Sequence, residues 1–219
     1  MEPDAYPPRH RQAEPRIAAL EGGVCAGKTT LSHQLAEDGH WYVVPEYVEW
    51  LTIRGRRSPR GRAQSRFPGF VRIEEEREEV VRSTRGPVLL DRSVFTLLAF
   101  EYTMWRMGRP SVWPSALETL FRPQVMIPSK ILYLTCSQVD RTLRWSKRGH
   151  KRAAIFSRPD FNEFNFEFFR RLSAHMPVEI LNTSLISLQS MVQPANAFLR
   201  ADSESPVNVA EIVDDLRPA

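Results

Sequence analysis

The sequence predicts an α/β fold: a mostly parallel five-stranded sheet flanked by helices on both faces and carrying a helical lid. Three observations predict it. Short apolar runs alternate with longer stretches of helical pattern, the signature of strands joined through crossover helices. One such strand-to-helix junction, residues 22–29, reads Gly-Gly-Val-Cys-Ala-Gly-Lys-Thr. Charged residues stand where two further runs finish, Glu46 just beyond one and Asp91 at the end of another. In such folds ligands bind outside the carboxyl ends of the strands.

The elements follow in order. Strands are expected at 16–21, 41–44, 87–91, 130–135 and 178–182, each a short apolar run bounded by polar or turn residues. Helices are expected from 28, over 46–53, 70–82, 94–107 and 115–121, from 138 to about 147, and over 160–175. The aromatic run Phe161, Phe164, Phe166, Phe168 and Phe169 is expected to pack that last helix on the sheet. Residues 184–206 read as polar and irregular, with one closing helix over 210–216. Residues 1–15, rich in Pro, Arg and Glu, read as a disordered leader, so one domain is expected over 16–219 with its lid at about 144–158.

Composition narrows the function classes. At 42% hydrophobic and 26% charged the chain is ordinary globular material, and no apolar run approaches the ~20 residues that span a bilayer. No secretory pattern opens it, and its two cysteines, Cys25 and Cys136, lack a metal-ligand spacing, so a reduced cytoplasmic setting without a membrane partner is expected. Histidines are scattered without ligand spacing. The net charge of +4 comes with uneven arginines, crowded at 54–66 and 141–152, but no nucleic-acid module accompanies them, and anionic small ligands explain them better.

Residues 22–29 fit G-x-x-x-x-G-K-[ST], the phosphate-binding loop of the P-loop NTPase fold. The backbone of Gly22, Gly23, Val24, Cys25, Ala26 and Gly27, with the N–H groups of Lys28, Thr29 and Thr30 at the helix start, would cradle nucleotide phosphates. Lys28 would reach the β- and γ-phosphates of ATP, and the Thr29 hydroxyl would ligate a magnesium ion.

Around the loop stand three further groups. Glu46 can accept the proton of an acceptor hydroxyl, or can merely cap the next helix, and Glu49 is a weaker version of the same candidate. Asp91-Arg92-Ser93 occupies the Walker B position, where Asp91 could hold the magnesium shell and Arg92 an acceptor oxygen, unless the two simply pair at a helix start. Arg141, Arg144, Lys147, Arg148, Lys151 and Arg152 form a basic segment suited to closing over the γ-phosphate, or a solvated helix end. Arg144 and Arg148 share a helix face.

Together these motifs, in this order over about 16–183, resemble the deoxynucleoside kinase family and its relative thymidylate kinase. Val43-Val44-Pro45-Glu46 followed by Val48 and Trp50 is similar to the Glu-Pro-Val…Trp signature whose glutamate is the catalytic base, which implies that role for Glu46. Asp91-Arg92-Ser93 is similar to the Glu/Asp-Arg-Ser signature, and Arg144 with Arg148-Gly149 matches the lid arginines. The resemblance also implies a homodimer. Departures lie on the acceptor side: Tyr47 replaces a proline, Leu97-Leu98 an Asp-Arg pair, and residues 67–74 offer no base-reading glutamine, leaving Glu74, Glu75 or Arg77 either to read another acceptor or to be exposed helix charge.

The expected activity is therefore an ATP-dependent kinase acting on a hydroxyl of a nucleoside-like or other small metabolite, a natural product included. Two alternatives stay open: a nucleoside monophosphate kinase using the arginines at 54–66, and a nucleotide-dependent ATPase or switch.

Overall fold

The computed structural model describes residues 16–38, 41–147, 154–202 and 206–218. The expected leader at 1–15 lies outside them, as do Arg148, Gly149, His150, Lys151 and Arg152 of the expected lid. The strands are β1 (Ile17–Gly22), β2 (Tyr42–Val44), β3 (Val88–Asp91), β4 (Lys130–Thr135) and β5 (Val178–Asn182). They are joined by helices α1 (Lys28–Glu37), α2 (Tyr47–Ile53), α3 (Ala63–Ser83), α4 (Val94–Arg106), α5 (Gln138–Lys147) and α6 (Pro159–Leu172), with α7 (Leu188–Arg200) and α8 (Val209–Leu216) closing the chain. Short 3-10 turns occupy Ser115–Phe121 and Ala154–Ser157.

The sheet order is β2-β3-β1-β4-β5, and each pairing is parallel, so the sheet is wholly rather than mostly parallel. Alternate residues of its central strands feed two cores because a strand points successive side chains to opposite faces. Ala19, Leu90, Ile131 and Tyr133 face α4 and α6, where Phe168 and Phe169 are buried as expected of the aromatic run. Ala18, Leu20, Leu89 and Leu132 face Leu31 and Leu35 of α1 and Ala195 and Leu199 of α7. Strand order reverses beside β1, which opens a crevice at its carboxyl end between β3 and β4.

Two helices depart from the sequence expectation. Helix α3 starts at Ala63 rather than 70 and runs through Pro68, because Ala63, Phe67 and Val71, each four residues on, all bury against the core. That burial offsets the hydrogen bond the proline cannot donate. Helix α7 runs through the segment read as irregular. Ser187 caps it by accepting the Ser190 N–H at 3.2 Å, Met191, Ala195 and Leu199 form its buried stripe, and Trp41 Nε1 donates to Asn196 Oδ1 at 2.9 Å. Pro194 and a stripe containing alanine hid its period. No described helix is long and apolar enough to cross a membrane.

Leu199 is fully buried in the core between α1 and α7. Leu199→Ala should therefore lower the unfolding free energy by about 2–5 kcal/mol in urea titration; a loss below about 1 kcal/mol would make α7 peripheral.

Candidate active site

The sheet brings together at one edge most of the residues singled out in the sequence. β1 ends at Gly22, whose φ of 127° and whose approach to β4 exclude a side chain: a Cβ there would lie 2.0 Å from the Leu134 carbonyl oxygen. The loop Gly23, Val24, Cys25 and Ala26 then turns, with Cys25 left-handed at φ 62°, into Gly27, which starts α1 without a side-chain cap. The first N–H groups of α1, those of Lys28, Thr29 and Thr30, thus carry no competing side-chain acceptor from the cap and suit an anion. Lys28 Nζ crosses the loop to donate to the carbonyls of Gly22 at 2.9 Å and Gly23 at 3.0 Å.

Arg144 braces the outer rim. Its Nη1 donates to the Cys25 carbonyl at 3.1 Å and to Thr183 Oγ1 at 2.8 Å, and its Nη2 to the Thr183 carbonyl at 2.9 Å. Between this brace and α7 lies a cleft of about 550 Å³ lined by Cys25, Gly27, Thr30, Arg144, Lys147 and Ile186, among others. A planar guanidinium facing apolar carbon is a surface on which a flat heterocycle can stack.

On the other side of the loop, Thr29 Oγ1 donates to Asp91 Oδ2 at 3.1 Å. Asp91 is 1% exposed and its Oδ1 is buried without a hydrogen-bond donor. A hydroxyl and an under-satisfied carboxylate side by side are hard oxygen ligands, so the pair fits a magnesium ion, bound directly or through its waters. Beside it Glu21, fully buried at the end of β1, accepts from the Ser93 N–H and hydroxyl, each at 2.8 Å, and from the Thr96 hydroxyl. Burial pushes its carboxyl above the usual range. Glu21 went unnoticed in the sequence, although an acid closing an apolar strand run is a visible signal.

Glu46 occupies the N-cap position of α2 but makes no cap hydrogen bond there. Its Oε2 instead accepts from Arg92 Nε at 2.9 Å. Arg92 is itself left-handed at φ 69°, a strained position for a residue with a Cβ. Arg77 holds that turn from beneath, Nη2 donating to the Arg92 carbonyl at 2.7 Å and to the Asp91 carbonyl at 3.3 Å. Its Nη1 donates to Glu74 Oε2 at 2.7 Å, which also accepts from the Tyr47 hydroxyl at 2.9 Å. Glu74 and Arg77 are both 0% exposed, so they are not surface charge; with Phe67 and Val71 they continue the buried face of α3. Tyr47, in place of the proline, completes this pair, and Leu97 and Leu98 are core residues. Glu49 lies half-buried on α2, away from the pairing that Glu46 makes.

Charge converges on Lys28. Burial and the Arg92 guanidinium lower its ammonium from 10.5 to about 7, against the opposing pull of Asp91, Glu46 and Glu21. The unfolded chain therefore binds more protons than the folded one between those two values, and the stability of the ligand-free protein rises with pH across that window. Phosphate oxygens favour the charged amine, so at a pH inside that window nucleotide binding should take up a proton, read from calorimetry in buffers of different ionisation enthalpy. Lys28→Met should abolish that uptake. For the buried pair, Arg77→Met should cost about 3–5 kcal/mol in denaturant titration because it strands the Glu74 charge. By contrast, Arg56→Ala, at the exposed Arg56–Glu76 pair, should cost no more than about 1 kcal/mol.

The sequence matches the family described as AAA domain over residues 17–153. No curated protein matches it. Among solved structures, deoxyadenosine kinase from M. mycoides with bound dATP superposes with a TM-score of 0.65 at 13% identity, covering 84% of this chain and 100% of that one. Thymidylate kinase from Candida albicans superposes with a TM-score of 0.57 at 12% identity, covering 89% of this chain and 99% of that one. At such identities the likeness is one of fold. The chain belongs to the AAA domain family, and its five parallel strands and phosphate-binding loop form the P-loop NTPase-like fold found in the deoxyadenosine and thymidylate kinases.

Proposed function

We propose that this protein is an ATP-dependent kinase that transfers the γ-phosphoryl group to a hydroxyl of a nucleoside-like or other small metabolite, natural products included. The observation that carries the reading is the Glu46–Arg92 pair at 2.9 Å, a carboxylate and a guanidinium held at a strand end where both act electrostatically on Lys28 of the phosphate loop. A nucleotide-binding switch needs the loop. It does not need a carboxylate beside it, aligned by an arginine and backed by a buried charge pair.

In this reading the donor base stacks on Arg144 in the cleft toward α7, and its phosphates run along the loop amides and Lys28. A magnesium ion, held by Thr29 and Asp91, would neutralise phosphate charge. Glu46 accepts the acceptor's proton as its oxygen bonds to the γ-phosphorus, the bond to the bridging oxygen breaks, and ADP leaves with that electron pair. Arg92 orients Glu46 and offers its remaining donors to the acceptor, while the segment expected at 144–158, Arg148 included, would serve as the lid. Catalysis is then mainly positioning and electrostatics.

A monophosphate acceptor is the second reading, because Arg62 and Arg66 line a cleft of about 540 Å³. Of the arginines at 54–66, Arg54 stacks on Trp50 at 3.6 Å and Arg56 pairs with Glu76 at 2.6 Å.

An ADP-release assay with magnesium and ATP, run without acceptor and then against nucleosides, nucleoside monophosphates and hydroxylated antibiotics, tests the reading. Release should depend on an unphosphorylated acceptor. Glu46→Gln should lower kcat by about 10²–10⁴-fold with nucleotide affinity retained, whereas Lys28→Ala should weaken nucleotide binding itself. Release indifferent to every acceptor would return the protein to the ATPase or switch class.

A further inference from the structure

Arg141 lies in α5 and is 6% exposed. Its guanidinium makes one long hydrogen bond, Nη2 to the Cys136 carbonyl at 3.3 Å, and its Nε is buried without an acceptor. Among the described residues no carboxylate lies within 4.0 Å of it to form an ion pair. Arg77, by comparison, is 0% exposed and has Glu74 at 2.7 Å. A guanidinium withdrawn from water without a counter-charge is strongly unfavourable, and the usual resolutions are a carboxylate or a bound anion.

Its place in the fold says which anion. A Cβ on Gly23 would lie 3.3 Å from Arg141 Nη2 and 3.2 Å from Asn162 Oδ1. The guanidinium therefore packs directly against the phosphate loop, where a β-carbon would press on it. That contact lies toward α6, on the sheet face shared with α2, α3 and α4. The stacking cleft lies toward the opposite face, between α1 and α7. A triphosphate running from that cleft along the loop delivers its last phosphoryl group beside Gly23.

We propose that Arg141 binds the terminal phosphoryl group of the donor, so that the site distinguishes a nucleoside triphosphate from a diphosphate through this buried arginine. The inference rests on the kinase reading and deepens it. Arg144 is already tied to Cys25 and Thr183 at the rim. Arg141 instead has donors to spare and lies against the second residue of the loop. A planar fork of donors suits phosphate oxygens, and a phosphate supplies the charge the protein leaves out. Because the arginine is held in place before the donor arrives, little rearrangement is needed when charge builds on the transferring group.

The test is calorimetric titration of the full chain with the magnesium complexes of ADP and of a non-hydrolysable ATP analogue, alongside kcat and the thermal midpoint. The wild type should prefer the triphosphate. Arg141→Met, close in length but uncharged, should shrink that preference by about tenfold or more, as expected for loss of a charge-assisted hydrogen bond. It should leave ADP affinity within about twofold and lower kcat by about 10²-fold. Its thermal midpoint should hold or rise, because an uncompensated charge has been removed. Gly23→Ala keeps the charge but presses a methyl group on the guanidinium, and should also weaken the triphosphate more than ADP. Equal weakening of both nucleotides, or an unchanged preference in both variants, overturns the proposal while leaving nucleotide binding standing. A wild type that binds neither nucleotide overturns this proposal together with the kinase reading.

Discussion

Desolvated charge at the carboxyl edge of the sheet is the constraint on which the rest of this structure depends. Lys28, Arg77, Glu21, Glu74 and Asp91 are all buried there, within the ends of β1 and β3 and the helices beside them. Charges taken out of water must find one another or a ligand, so they fix the geometry around them. Glu21 ties β1 to the start of α4 through Ser93 and Thr96, and Arg77 fastens the left-handed Arg92 turn to α3. The Glu46–Arg92 pair stands on that foundation.

The division of the sheet into two faces gives the site its direction. On one face α1 and α7 sandwich an apolar layer around Leu31, Leu35 and Leu199, and the cleft beside it combines Arg144 with Ile186. On the other, α3, α4 and α6 carry aromatic packing such as the Tyr133–Phe169 contact, 4.7 Å between ring centroids, and the charged groups stand at its upper edge. In the proposed reading, a phosphate loop at the crevice between the faces would connect a place to stack a base with a place to do acid–base chemistry.

The brace made by Arg144 links these halves. It joins the loop at Cys25 to Thr183 just past β5, and so couples the phosphate cradle to the segment leading into α7. The otherwise inconspicuous C-terminal third of the chain is therefore part of the site's wall. Trp41, bonded to Asn196, anchors the same helix beside β2.

Much of this was legible in the sequence where chemistry depends on local spacing. The loop at 22–29, Asp91 at a strand end and Glu46 just beyond another are set by a few consecutive residues, and the strand-helix alternation alone places them at one edge of a parallel sheet. Helix α7 was not legible, because a proline and a stripe containing alanine give a weak period that becomes decisive only when the opposing wall of α1 is present. The roles of the arginines were not legible either. The sequence presents Arg77, Arg92, Arg141 and Arg144 as similar cations; the tertiary structure gives Arg77 a buried glutamate, Arg92 the Glu46 carboxylate, Arg144 two carbonyls and a hydroxyl, and Arg141, among the described residues, one carbonyl. The sequence by itself determined what chemistry the site could hold. Folding decided which charges neutralise each other, because that balance depends on distances and burial between residues far apart in the chain.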